Sequence, residues 1–142
     1  MNISGITVIG AGAMGRQIGM VAALGGFEAV VQDVSADAVA QAEEQLRSWA
    51  KGRVSKGRLS NEEVDDAWSR LRFTTDVTDA VANADLVIEA ATEKLEIKRR
   101  IFAQLDELAP EHTILTTNSS TYGSSSVADA TGRPEKVCNM HF

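Results

Sequence analysis

The chain has 142 residues, 44% of them hydrophobic and 24% charged, with a formal net charge of −6 and a single cysteine. That is the length of one domain able to bury its own core, and the acidic balance excludes nucleic acid as the main partner, because phosphate backbones call for a basic surface. No basic-then-apolar leader precedes the first strand-like segment, no apolar run reaches the ~18 residues of a membrane span, and a lone Cys138 cannot close an internal disulfide, so a soluble cytoplasmic protein without a membrane partner is expected.

In chain order, Ile3 to Ile9 reads as a short buried strand, and Gly10-Ala11-Gly12-Ala13-Met14-Gly15 breaks it. A helical pattern follows to about Leu24, with Ile18, Val21 and Ala22 on the apolar side, Leu24 at its margin and Gly25-Gly26 as the stop. Phe27 to Gln32 reads as a second strand closed by Asp33, and Ser35 as the N-cap of a helix carrying Val39, Ala42, Leu46, Trp49 and Ala50. Ser60-Asn-Glu-Glu63 has the pattern of a capping box, opening a helix with Val64, Ala67, Trp68 and Leu71 on one face. A short strand at Phe73 to Thr75, a brief helix at Asp79 to Asn83 and a buried strand at Leu86 to Ala91 come next. Glu96 to Leu108 is amphipathic, with Ile97, Ile101, Phe102, Leu105 and Leu108 inward and Pro110 ending it. Thr113 to Thr117 reads as a strand, Ser124 to Ala130 as a short helix, and Lys136 to the end as a last strand. There Cys138 reads as a buried structural thiol rather than a nucleophile.

Strands alternate with helices throughout, and most strands are continuous apolar runs. Both features point to α/β architecture: a doubly wound, mostly parallel sheet covered on both faces, with residues 1–142 as one domain.

The glycine turn sits where a dinucleotide fingerprint needs it, between a strand and a helix. Gly10 permits the tight turn, Gly12 the approach of a pyrophosphate, and Gly15 the close packing of helix on sheet. The N–H groups near Ala13 and Met14, at the positive end of the helix dipole, then face the phosphates. Asp33 ends the second strand at the expected distance. Its carboxylate can accept from the ribose hydroxyls and would repel a 2′-phosphate, so NAD is expected rather than NADP.

Further on, Leu86-Val-Ile-Glu-Ala-Ala, Glu93-Lys-Leu-Glu-Ile-Lys98, Thr117-Asn-Ser-Ser120 and Met140-His-Phe142 follow in order. With the glycine turn and Asp33, this set resembles the N-terminal, Rossmann-like NAD-binding domain of the L-3-hydroxyacyl-CoA dehydrogenase family, 3-hydroxybutyryl-CoA dehydrogenases included. The resemblance implies an oxidoreductase of fatty-acid metabolism that oxidises the 3-hydroxyl of an acyl-CoA and passes hydride to NAD. It implies that His141 is the general base, a role for which an imidazole with an unperturbed pKa near ~6.5 is suited, and that Ser120 touches the substrate hydroxyl and the nicotinamide. It places Glu93, Lys98 and Asn118 along the cofactor site, and Lys51, Arg53 and Lys56 near the CoA moiety.

Read without the family, Glu93 and Lys98 are a solvated pair five residues apart, Lys51 to Arg58 is a solvated basic loop, and His141 is a strand-end histidine. His112 reads as a surface residue at a helix end, and no His, Cys, Asp or Glu cluster has metal-ligand spacing.

Two departures stand out. Thr121-Tyr122-Gly123-Ser124 replaces the family's Ser-Leu and aliphatic residue, which leaves acyl-chain preference open. The chain also stops at Phe142, before the glutamate that orients the family's histidine and before the helical C-terminal domain that closes the cleft and carries the dimer interface. The expectation is a fragment of a longer, homodimeric dehydrogenase, with an apolar patch where that domain would sit. Such a chain should bind NAD and turn over slowly or not at all. The alternatives are a free-standing, non-catalytic NAD-binding module, a dehydrogenase of a free hydroxy acid, and an FAD-binding protein.

Overall fold

The computed structural model describes residues 2–142. Its first unit is β1 (Gly5–Ile9), α1 (Ala13–Leu24) and β2 (Glu28–Gln32), followed by the long α2 (Ala36–Ser55) and α3 (Asn61–Arg70). Then come β3 (Leu71–Thr74), α4 (Val77–Val81), β4 (Leu86–Glu89), α5 (Leu95–Leu108), β5 (Ile114–Thr117), α6 (Ser125–Ala128) and β6 (Val137–Asn139). Among the described residues six strands form one sheet in the order β3-β2-β1-β4-β5-β6, every neighbouring pair parallel. Val8 of β1 sits opposite Val31 on one side and Ile88 on the other, so the most apolar strands lie at the centre, covered on both faces. This is the doubly wound α/β architecture expected from the sequence.

The core divides by face. Val8, Ile18, Met20, Val31, Leu46 and Ile88 pack on one side, and Val81, Val87, Phe102, Leu105, Leu115 and Val127 on the other. The local signals act as written. Gly25 and Gly26 close α1, with Gly26 at φ 91° and the N–H groups of Gly26 and Phe27 returning to the carbonyls of Ala23 and Ala22. Ser35 caps α2, and Ser60 and Glu63 form the reciprocal capping box of α3.

Four assignments change. Val21 is 56% exposed, and Gly15, Gly19, Met20 and Ala23 take the inward positions instead, because α1 lies so close to the sheet that a Cβ on Gly19 would collide with Val31. Ile97 is 40% exposed while Lys98 is buried, since the start of α5 borders a cleft as well as the core. Leu71 begins β3 rather than ending α3, and remains buried. Cys138 is exposed, not buried, because β6 is the edge strand with β5 as its sole neighbour among the described residues.

His112 is surface-exposed, but it is engaged. Its Nε2 lies 2.9 Å from Asp85, whose other oxygen accepts from the N–H groups of Ser4 and Gly5. Those backbone donors, with His112 beside them, hold the Asp85 carboxyl well below the usual carboxylate range. No helix among the described residues is long and apolar enough to cross a membrane.

Candidate functional site

The strand order reverses between β1 and β4, and in open α/β sheets ligands sit outside the carboxyl ends of the strands at that switch point. The glycine turn occupies this position. Gly10 has φ 107°, and a Cβ there would run into the backbone of Ala90 and Ala91, while its N–H donates to Gln32 at 2.7 Å. Gly15 lies so near Gly10 that a Cβ would strike the Gly10 carbonyl. Gly12 differs: a Cβ there would meet nothing within 4 Å. Gly12 is also the N-cap of α1 and brings no side-chain acceptor, and no acid lies in the first turn. The first-turn N–H groups at Ala13 and Met14 are therefore left for an outside acceptor.

Asp33 is tied to this turn. Its two oxygens accept from the N–H groups of Ala11 and Ser35, each at 2.9 Å, which leaves lone pairs on both for a further donor. Beside it opens a cavity of about 360 Å³ lined by Gly10, Asp33, Val34, Thr75, Ile97 and Ile101 among others. Val34 (90% exposed) and Ile97 present bare apolar surface to it. On the opposite flank of the turn a second cavity, about 200 Å³, is lined by Met14, Glu89, Thr92, Glu93, Lys98, Asn118 and Ser119.

The sequence placed Glu93 and Lys98 together as an acid and a base. The structure brings both to the second cavity but gives each another partner. Lys98 Nζ donates to Glu89 at 2.7 Å, with both side chains essentially inaccessible to water. Glu93 is exposed and accepts from the Ser119 hydroxyl at 2.8 Å. Glu89 and Ser119 thus line this cavity, with Thr117 bonded to Glu89 behind it, positions that sequence reasoning missed as individuals. The one signal was an acid closing the apolar run Leu86-Val-Ile.

Ser120 is exposed at the end of β5, and His141 is exposed just beyond β6, on the neighbouring strand. Backbone and side-chain bonds hold these two segments in step. Met140 N–H donates to Thr117, Phe142 N–H donates to the Asn118 side chain at 3.0 Å, and the Asn139 amide donates to Tyr122 while accepting from Ser124. Asn118 lines the second cavity, and its oxygen is engaged by the Phe142 N–H.

Lys51, Arg53 and Lys56 do not line either cavity. Lys51 and Arg53 are on α2, which extends further than a loop reading allowed, and Lys56 caps it. Lys51 borders a groove of about 470 Å³ between α2 and α3, and the Arg53 guanidinium lies over Trp49. A further cavity of about 260 Å³, lined by Glu28, Arg70 and Asn83 among others, lies at the N-terminal ends of the strands and contains none of the candidate site residues. Among the described residues no group of three or more His, Cys, Asp or Glu is placed to hold a metal.

Comparison with known proteins agrees with this geometry. Residues 5–142 match the family model described as 3-hydroxyacyl-CoA dehydrogenase, NAD binding domain. The chain is 41% identical over 142 residues to the 3-hydroxyadipyl-CoA dehydrogenase of Escherichia coli (strain K12), covering 100% of this chain and 30% of that protein. It is 37% identical to the mitochondrial hydroxyacyl-coenzyme A dehydrogenase of Homo sapiens, covering 96% and 45%. A crystal structure of 3-hydroxybutyryl-CoA dehydrogenase from Escherichia coli K12 superposes with a TM-score of 0.96 at 41% identity, covering 100% of this chain and 30% of that one. The chain therefore spans less than half the length of these relatives, and the part it spans belongs to the 3-hydroxyacyl-CoA dehydrogenase family as its NAD-binding domain.

Proposed function

We propose that this chain is the cofactor-binding part of an enzyme that oxidises an L-3-hydroxyacyl-CoA to the 3-oxoacyl-CoA. The observation that carries the reading is the pair of cavities astride the glycine turn, with Asp33 on one side and Lys98, Glu93 and Asn118 on the other. The residues fit a dinucleotide. The open space at Gly12 and the uncapped N-terminus of α1 suit a pyrophosphate. Asp33 has lone pairs left for ribose hydroxyls, and Val34 and Ile97 offer apolar faces for a base. When bound, NAD supplies the hydride acceptor.

On this reading His141 takes the proton of the substrate hydroxyl, and Ser120 donates a hydrogen bond to the same oxygen. Glu93, Lys98 and Asn118 hold the nicotinamide side, and Lys51, Arg53 and Lys56 meet the phosphates of CoA. His141 is exposed and makes no side-chain hydrogen bond among the described residues, so its ring is unoriented and turnover by this chain alone should be slow or nil. A homodimeric parent enzyme and a cytoplasmic setting belong to the same proposal. The first rests on the resemblance, the second on the lone thiol of these 142 residues.

The test is a fluorescence titration of this chain with NADH and with NADPH, each with and without acetoacetyl-CoA. NADH should bind at least about tenfold tighter than NADPH, the preference should collapse in Asp33→Ala, and acetoacetyl-CoA should shift the NADH curve. Binding of NADH that ignores acetoacetyl-CoA but responds to a free 3-hydroxy acid would move the substrate away from CoA esters. Binding of neither nucleotide by a folded chain would remove the cofactor assignment.

A further inference from the structure

Glu89 is the most thoroughly enclosed acid in the protein, and nothing in the proposed chemistry uses it. It ends β4 with its side chain 0% exposed, directly behind the second cavity. One oxygen accepts from the N–H of Ala91 at 2.9 Å and, more weakly, from that of Thr92 at 3.4 Å. The other accepts from Lys98 Nζ at 2.7 Å and from the Thr117 hydroxyl at 2.9 Å. Thr117 Oγ1 in turn accepts from Ser119 N–H, and Ser119 Oγ accepts from the N–H groups of Thr121 and Tyr122 while donating to Glu93. One carboxylate thus joins three separate pieces of wall: the turn after β4, the start of α5 through Lys98, and the turn after β5 on which Asn118 and Ser120 stand.

The arrangement is costly unless it is complete. A carboxylate and an ammonium withdrawn from water recover their hydration only through close pairing and further hydrogen bonds, and no buried side-chain polar atom among the described residues lacks a partner. An apolar pair in place of Glu89 and Lys98 would satisfy the fold at lower cost. The charged network sits where the turns after β4 and β5 meet beneath the second cavity.

We infer that Glu89 is a positioning residue for the nicotinamide half of the cofactor. By holding Lys98 and the two turns in register, it fixes the wall against which that half rests, and it leaves the adenosine half, held by Asp33 and the glycine turn, untouched. This rests on the NAD reading above. Its consequence is a split in affinity that simple destabilisation does not produce.

The experiment compares NADH with ADP, which carries the adenosine and pyrophosphate parts and lacks the nicotinamide and its ribose. Glu89→Gln keeps the size of the side chain and removes the charge. It should weaken NADH roughly tenfold to a hundredfold and ADP by less than about threefold, with circular dichroism unchanged. Thr117→Val leaves the Lys98–Glu89 ion pair in place and removes the hydroxyl that donates to Glu89 and accepts from Ser119 N–H and, at 3.5 Å, from Lys98, so it should shift the same ratio by a smaller factor. Lys98→Met combined with Glu89→Gln should lose no more NADH affinity than the worse single variant, because the two act as a unit. Equal weakening of both ligands in Glu89→Gln, or a Thr117→Val variant with an unchanged ratio, would make the network structural and overturn the inference. If the parent chain bound ADP but gained nothing from the nicotinamide riboside, the inference would fall while the dinucleotide reading stood. If it bound neither, both would fall.

Discussion

A methyl group added at Gly12 points into open space, whereas one added at Gly15 strikes the Gly10 carbonyl. The two glycines therefore separate binding from folding. Gly12→Val should leave the unfolding free energy within about 0.5 kcal/mol of the parent while abolishing NADH binding. Gly15→Ala should cost about 1–3 kcal/mol because backbone must move. Urea unfolding beside a fluorescence titration checks both, and a Gly12→Val variant that still binds NADH would show that no ligand approaches the turn. These positions were legible in the sequence because spacing alone constrains the backbone there. The partner of Lys98 was not. Glu93 lies five residues away and Glu89 nine, and which of them the lysine meets depends on how the turn at Ala90 to Lys94 folds back, a tertiary matter that neither periodicity nor charge spacing contains.

For the elements, the pattern in α5 shows what periodicity reads well and what it misses. Phe102 and Leu105 are buried as expected, yet Ile97 opens on the cleft and Lys98 turns inward, because the helix has two apolar neighbours, the core and a binding groove. The C-terminal end of α5 was equally opaque. Pro110 announced a stop, but the device that completes it is Arg133, more than twenty residues on. Its guanidinium donates to the Asp106 carboxylate and to the carbonyls of Asp106, Ala109 and Pro110, satisfying helix-end acceptors that would otherwise be orphaned. Arg133 is only 12% exposed, so Arg133→Ala should destabilise by about 1–3 kcal/mol, through lost charged hydrogen bonds rather than surface attraction. A midpoint unchanged in urea would show that water replaces the clamp without loss.

Across the whole molecule, the sheet order followed from alternating strands and helices with apolar runs, since right-handed crossovers leave few ways to assemble them. The cleft followed from the sheet order. What did not follow was how the two halves of the sheet are fastened at the opposite end. There Asp85, at the start of β4, takes the N–H groups of Ser4 and Gly5 at the start of β1, with His112 alongside. Because its carboxyl is held below the ordinary 3.8, its contribution to stability is complete above that value and is lost as pH falls through the lowered one. Asp85→Asn should therefore be less stable than the parent near neutrality, with the gap narrowing progressively as pH falls below about 4. Thermal unfolding across that range checks the sign, and a constant gap would place the cause elsewhere. The same long-range fastening has a consequence during synthesis. β1 finds β2 within the first 32 residues, but its other flank waits for β4, whose pairing begins at Leu86. At ~5–20 residues per second that wait lasts roughly 3–10 s, against microseconds for elementary chain motions. The ribosome, rather than the chain, then sets when the sheet closes, and until it does the central strand of the nascent protein is an open edge that a holding chaperone could cover.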